Sequence, residues 1–495
     1  MELLELPPEL LHKVLYYAVL VRHVKRGLRL RLVCKFFSSA TYPALFETRL
    51  LDHFYSGVAE DWQIRNQHNA EKVWHSYLVY RTKNEADEKI GRFMEIRQVA
   101  ESICKQTDHD LSSTIDSLCW LAFERKASAP SFRSGRVDLE RTYKIHLLSA
   151  ATYFNLVPFA HELLAEGSHP TDHEGLFPPA MEVAAQTGNT QLLKCFQEQL
   201  PELEFKEPDI KWAGHKWDWG WHGKVAPDSI VGAMIRGDLN ILKLSLYPPS
   251  RAEPYNTDIL GHPCGQIRER SHLGRTLRQN VRDKTRSIEI YDYVDGLFKS
   301  RTENEDLIRS LIVHAEFGNI SMVRCLLDRG ISVNAATERG GVPKTALIAA
   351  CEHCHENIVN LLLERGADPN AGAKEKQWLT ALPTAACSGS LTIVQKLLSY
   401  GAHVNEAVDF WSGERRPAVW WAVAIEHTAM FELLLENGAS LDGYIGSTAL
   451  EMAFEFDLMS MAEILQKHGA KIIERVNDSE RAPWKKWACR RIPMG

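Results

Sequence analysis

Two places in the chain gather side chains able to do chemistry. The first is Cys351-Glu352-His353-Cys354-His355, a C-x-x-C followed by histidine. That is the pattern of a zinc ligand set or of a thiol redox pair. A tetrahedral zinc site needs more ligands than this, and no second C-x-x-C completes it. A redox pair sits beside a βαβ pattern, which is lacking here. The second place is residues 205–224, where His215, Asp218 and His222 lie among Trp212, Trp217, Trp219 and Trp221. Imidazoles and a carboxylate can move protons, yet no nucleophile–base pattern accompanies them. No G-x-x-x-x-G-K-[ST], G-x-S-x-G or H-E-x-x-H occurs. Gly340-Gly341 has neither the strand nor the third glycine of a phosphate loop. The expectation is no catalytic residue, no metal and no cofactor. An enzyme with a site around His215, Asp218 and His222 stays as an alternative.

The elements that hold these residues are repetitive. A leucine pair, two further residues and a glycine recur at Leu326-Leu327…Gly330, Leu362-Leu363…Gly366, Leu397-Leu398…Gly401 and Leu434-Leu435…Gly438; a fifth copy reads Ile464-Leu465-Gln466-Lys467-His468-Gly469. After three of these glycines come Ala and then Asn or Asp, at Asn370, Asn405 and Asp442. Upstream stand Thr345-Ala346-Leu347, Thr380-Ala381-Leu382 and Thr448-Ala449-Leu450, each followed by small residues. Small side chains let two antiparallel helices pack closely, and the glycine can take a left-handed C′ conformation. These units resemble ankyrin repeats, whose signature is T-P-L-H-x-A at a period near 33. The resemblance covers residues 306–475 and implies an α-solenoid with a concave binding surface. Within it, Cys354 falls where the family has glycine and His355 is its turn histidine. Weaker copies surround Ala150-Ala151, Ala184-Ala185 with Gly188, and Ala233 with Gly237, so residues 141–250 read as degenerate repeats interrupted by the Trp-rich insert 205–224.

Residues 1–50 predict two or three short helices, with Leu10, Leu11, Val14, Leu15 and Ala18 as one apolar stripe. Leu6, Pro7, Glu9, Leu10, Val14 and Leu15, then Leu30, Arg31, Val33, Cys34, Lys35 and Phe37, then Leu45 and Phe46, match in order the F-box pattern, which this segment resembles. The spacer Val19–Gly27 is basic and longer than usual. The resemblance implies docking onto the adaptor subunit of a cullin-RING (SCF-type) ubiquitin ligase, through Leu6, Pro7, Leu10, Val14, Leu32, Val33 and Phe37. F-box plus ankyrin array resembles a fungal-type architecture. The other reading of 1–50 is a cap on the array.

Residues 51–140 read as a helical linker and 251–305 as a basic insertion, whose arginines at 268, 270, 275, 278, 282 and 286 suit a solvated loop or an acidic partner. The Trp-rich insert either anchors a substrate through Trp212, Trp217, Trp219 and Trp221 or folds back over a repeat. The segment 476–495, with Trp484 and Trp487 among basic residues, reads as a tail or end cap.

Composition agrees with a globular binding protein. Of 495 residues, 45% are hydrophobic and 25% charged, with a net charge of −6, so a basic nucleic-acid face is not expected. The longest apolar run near the start, Val14 to Val21, is too short to span a membrane. The acidic start lacks the basic region of a signal peptide. Ten scattered cysteines suit buried thiols in a reducing compartment. The fold class expected is all-α: an F-box-like module, a helical linker and an ankyrin solenoid. The function expected is protein–protein interaction in the cytoplasm or nucleus, as the substrate-recognition subunit of a ubiquitin ligase holding an unknown substrate. The alternative is a scaffold independent of any ligase.

Overall fold

The computed structural model describes residues 6–29, 35–51, 70–86, 91–124, 139–200, 226–247, 277–278, 280–281, 284–298, 304–339, 342–371, 380–409 and 415–473. Among them the fold is all-α apart from two short antiparallel hairpins. The chain forms two compact units, residues 1–71 with 311–495, and residues 72–310.

The N-terminal helices are α1 (Pro8–Arg29) and α2 (Lys35–Glu47). Proline and Glu9 in the first turn suit a helix start. The N–H groups of Leu10 and Leu11 both donate to the Pro7 carbonyl at 3.0 Å. Leu11 and Leu15 pack on Phe37 and Ala44, with Leu6, Tyr16 and Ala40 at the edge. His12 Nε2 lies 2.6 Å from Glu47 Oε2 and clips the two helices together. The segment holds two helices, the first of them longer than expected: its 22 residues run on through Arg22, Lys25, Arg26 and Gly27. A single interior glycine costs only about 1 kcal/mol against alanine, too little to end a helix in which Val24, Lys25, Arg26 and Leu28 flank it.

In residues 72–310, α3 (Ala70–Asn84), α4 (Gly91–Gln106) and α5 (Leu111–Glu124) precede three helix pairs: α6 (Leu139–Tyr153) with α7 (Val157–Ala165), α8 (Ala180–Thr187) with α9 (Thr190–Glu198), and α10 (Pro227–Arg236) with α11 (Leu239–Leu246). Of the segment 51–140, expected as a helical linker, residues 72–140 belong to this unit. Helix α4 buries Phe93, Ile96, Val99, Ala100 and Ile103, packs against both α5 and α6, and joins Ser102 Oγ to Tyr143 OH at 2.6 Å. Arg81 and Glu85, both buried, form an ion pair, and Arg81 Nη1 donates to Tyr77 OH at 3.0 Å. Helix α10 lies directly on α8: a Cβ added at Gly232 would overlap the Glu182 carbonyl oxygen. Residues 201–225 therefore interrupt two adjacent pairs. The basic run also differs from expectation where it is described. Leu277, Val281 and Thr285 are buried, and Arg278 stacks 4.3 Å from the centre of the Phe298 ring, so its charge is spent on an aromatic face as well as on solvent. Helix α12 (Ile288–Gly296) follows, capped by Ser287.

The C-terminal pairs are α13 (Asn304–Glu316) with α14 (Ile320–Asp328), α15 (Ala346–Glu352) with α16 (Glu356–Glu364), α17 (Ala381–Ser388) with α18 (Leu391–Ser399), α19 (Ala418–Ala424) with α20 (Thr428–Glu436), and α21 (Tyr444–Glu455) with α22 (Met459–Lys467). Hairpin β1 (Ala336–Arg339) and β2 (Val342–Thr345) leads into α15, and β3 (Ala407–Asp409) and β4 (Arg415–Pro417) leads into α19. From α15 onward, first helices stack on first helices; the second helices stack likewise from α14 to α20. Second helices end at Gly330, Gly366, Gly401, Gly438 and Gly469, all left-handed, as the repeat pattern predicts.

Candidate functional site

The turn joining the two helices of each pair decides what Cys351, Cys354 and the nearby histidines can do. Every such turn needs one left-handed residue. Gly188, Gly237, Gly318 and Gly389 supply it in four pairs; Asn155, Cys354, Glu426 and Asp457 supply it in four others. Cys354, at φ +56°, is thus a turn residue in glycine's place. Cys351 is fully buried inside α15. Burial pushes the Cys354 thiol up to about 11, with Glu356 adding to the shift. Burial pushes the Cys351 thiol up further, helped by Cys354. Both are held protonated, the reverse of what a nucleophile or metal ligand needs. His355 Nε2 donates to the Glu316 carbonyl at 2.9 Å, and its ring lies under Gly318, 2.8 Å from where a Cβ would stand. His353 pairs instead with the Glu316 carboxylate at 3.6 Å. The two histidines both meet Glu316, at its carbonyl and its carboxylate, while the Cys354 thiol donates to the Ser388 carbonyl at 3.6 Å. Among the described residues, no three His, Cys, Asp or Glu side chains are grouped to hold a metal.

Consecutive pairs are tied by a ladder of asparagines. Asn334 Nδ2 donates to Gly366 O at 3.3 Å while its Oδ1 accepts from Asp368 N at 2.8 Å. Asn370 does the same with Gly401 O (2.9 Å) and His403 N (2.8 Å). Asn405 repeats it with Gly438 O (3.0 Å) and Ser440 N (2.8 Å). An amide fits because one side must donate and the other accept. The fourth place holds Asp442, whose side chain has no N–H to give.

The stacked first helices are closed surfaces. Residues 346–351, 381–387 and 418–424 are buried throughout, including Trp420, whose ring lies 4.2 Å from the Arg416 guanidinium. At α15, α17 and α19 the side chains open to a partner therefore come from the turns and the outer faces of the second helices.

On α1 the single predicted stripe divides into two faces. Leu11, Leu15 and Val19 point inward and are buried. Leu10 and Val14 are exposed by 49% and 39%, and Tyr17 and Val21 extend the same line at 63% and 78%. Positions 10, 14, 17 and 21 lie along one helical face, a periodicity readable in the sequence but missed there for Tyr17 and Val21. Of the other adaptor-contact candidates, Pro7 is exposed and Leu6 half-buried. Phe37 does not join them: it is buried between α1 and α2, where an aromatic ring serves packing. Leu32 and Val33 lie outside the described residues, as do Trp212, Trp217, Trp219 and Trp221, and with them His215, Asp218 and His222.

The family description "Ankyrin repeats", in three copies, matches residues 311–408 and 382–475. Similar curated proteins include the transient receptor potential channel pyrexia of Drosophila melanogaster, 32% identical over 139 residues, covering 28% of this chain and 14% of that protein. Another is the human ankyrin repeat and MYND domain-containing protein 1, 44% identical over 79 residues, 16% of this chain and 8% of that one. A third is the ankyrin repeat, SAM and basic leucine zipper domain-containing protein 1 of Dasypus novemcinctus, 36% identical over 97 residues, 19% of each. The chain spans less than a fifth of the length of each. Residues 311–475 are ankyrin repeats, stacked as an α-solenoid. Such an array indicates a scaffold for protein–protein interaction. No helix among the described residues is long and apolar enough to cross a membrane.

Proposed function

We propose that this protein is a substrate receptor, its N-terminal helices docking on the adaptor subunit of a cullin-RING ubiquitin ligase while the ankyrin array holds a protein substrate. The observation that carries the reading is the exposed apolar line Leu10, Val14, Tyr17 and Val21, on the helix whose sequence resembles an F-box. Four large apolar side chains on one open helix face are the ordinary means by which a helix is held in a partner's groove. A receptor needs no catalytic group; it raises the local concentration of substrate beside the ubiquitin-loaded enzyme. The role belongs in the cytoplasm or nucleus.

The test is capture of the purified adaptor by the full chain, beside a Leu10→Asp/Val14→Asp variant. Both sites are solvent-facing, so the variant keeps its fold, checked by circular dichroism. Binding by the native chain and at least tenfold loss in the variant supports the receptor. No binding by the native chain sinks it.

One observation favours a scaffold independent of any ligase. Helix α1 continues unbroken through the basic spacer 19–27, where the F-box pattern has a connection. In that reading the helices only cap the array, and Leu10→Asp/Val14→Asp leaves partner capture by the chain unchanged.

A further inference from the structure

The left-handed turn of each helix pair gives a register in which the pairs can be compared. Three residues before it stand Thr152, Ala185, Met234, Ala315, Cys351, Ala386 and Val423, all with no exposure to solvent. In the last described pair that place holds Phe454, which is 40% exposed. A second position behaves alike. The residue before the ladder position is Val333, Pro369, Val404 or Leu441, each buried or half-buried. Its counterpart Ile472 is 53% exposed, and the ladder position itself has become Ile473, also exposed. A solenoid ordinarily closes with a repeat whose outer face is polar. Helices α21 and α22 keep the apolar stacking residues of an interior repeat.

We propose that residues 484–492 of the same chain cover this face. Trp484, Trp487, Ala488 and Ile492 fall at the spacing of one helical stripe, and Pro483 stands where a helix begins. Lys485, Lys486, Arg490 and Arg491 surround the stripe. The receiving pair is net acidic, with Glu451, Glu455, Asp457 and Glu463 against Lys467. Reach is sufficient. The Ile473 N–H donates to Ser447 Oγ at 3.0 Å, which delivers the chain beside the first turn of α21. Phe454 lies two helical turns further on, about 10 Å away, and residues 474–483 can span up to ~33 Å. A segment tethered this closely acts at an effective concentration in the millimolar range, which favours it over a second copy of the chain.

The test uses the full chain with the photoreactive residue p-benzoylphenylalanine at position 454. After irradiation, mass spectrometry should find intrachain cross-links to residues 484–492. A product of twice the mass, cross-links only to other segments, or no cross-link overturns the proposal. An independent readout leaves Phe454 in place: in Trp484→Ala/Trp487→Ala, the amides of α21 should exchange with deuterium about tenfold faster than in the native chain. Unchanged exchange overturns the proposal as well.

Discussion

Replacing Gly318 by alanine tests the account of the helix-to-helix turn most directly, because two separable costs meet there. Gly318 sits at φ +76°, a conformation that costs an L-residue about 1–2 kcal/mol. The added Cβ would also stand 2.8 Å from His355 Cε1 and 3.0 Å from its Nδ1, inside contact distance. The ring must then move, and with it goes the His355 Nε2–H bond to the Glu316 carbonyl, worth about 0.5–1.5 kcal/mol. Gly318→Ala should therefore destabilise the α13–α16 region by about 1.5–3.5 kcal/mol. In a His355→Ala background the ring is gone and only the backbone cost of about 1–2 kcal/mol remains. The assay is native-state hydrogen exchange of amides in α13 to α16 across the four members of the cycle. Coupling of about 0.5–1.5 kcal/mol is expected. Equal costs of Gly318→Ala in both backgrounds would refute the claim that the histidine's seat, and not only the backbone, demands glycine.

Three further outcomes follow from the geometry. Asn370→Ala removes two cross-repeat hydrogen bonds and should lower the stability of residues 311–475 by about 1–2 kcal/mol, seen as a fall in the urea midpoint; Asn370→Asp, which keeps only the acceptor, should fall between it and the native chain. Gly232→Ala forces α8 and α10 apart and should cost at least ~2 kcal/mol, read from exchange of the α8 and α10 amides; a change below ~0.5 kcal/mol would contradict the close approach. The Cys354 thiol, raised to about 11, must lose its proton to react. Its alkylation in the native chain should therefore quicken about tenfold per pH unit from pH 8 to pH 10, and a plateau below pH 9 would show that burial does not hold the proton.

The array was legible because its physics is periodic: each leucine pair buries one side of a second helix, and each glycine after it turns the chain. Cys354 was legible for the same reason, since the period aligned it with glycine, and the structure gives it glycine's backbone. Glu426 occupies that conformation with no sign in its residue type, because the pairs stacked on either side over-determine the turn. The N-terminal helices were less readable. Leu10 and Leu11 are equally apolar, and only the seat of Phe37 decides that Leu11 faces inward. Helix α1 runs past Gly27 because one glycine does not outweigh its neighbours. The reading of 51–140 as a helical linker rested on local periodicity, to which the packing of α4 against α6 is invisible because it is a non-local fact.

Residues 1–71 and 311–495 share one compact unit, while residues 72–310 intervene in the chain. On the ribosome this imposes an order of events. The N-terminal helices leave the exit tunnel long before the repeats they belong with exist. At ~5–20 residues per second the delay is on the order of ten to fifty seconds. Throughout it, α1 displays Leu10, Val14, Tyr17 and Val21. The nascent chain is then a substrate for a chaperone, and synthesis speed over residues 72–310 sets how long it must be guarded.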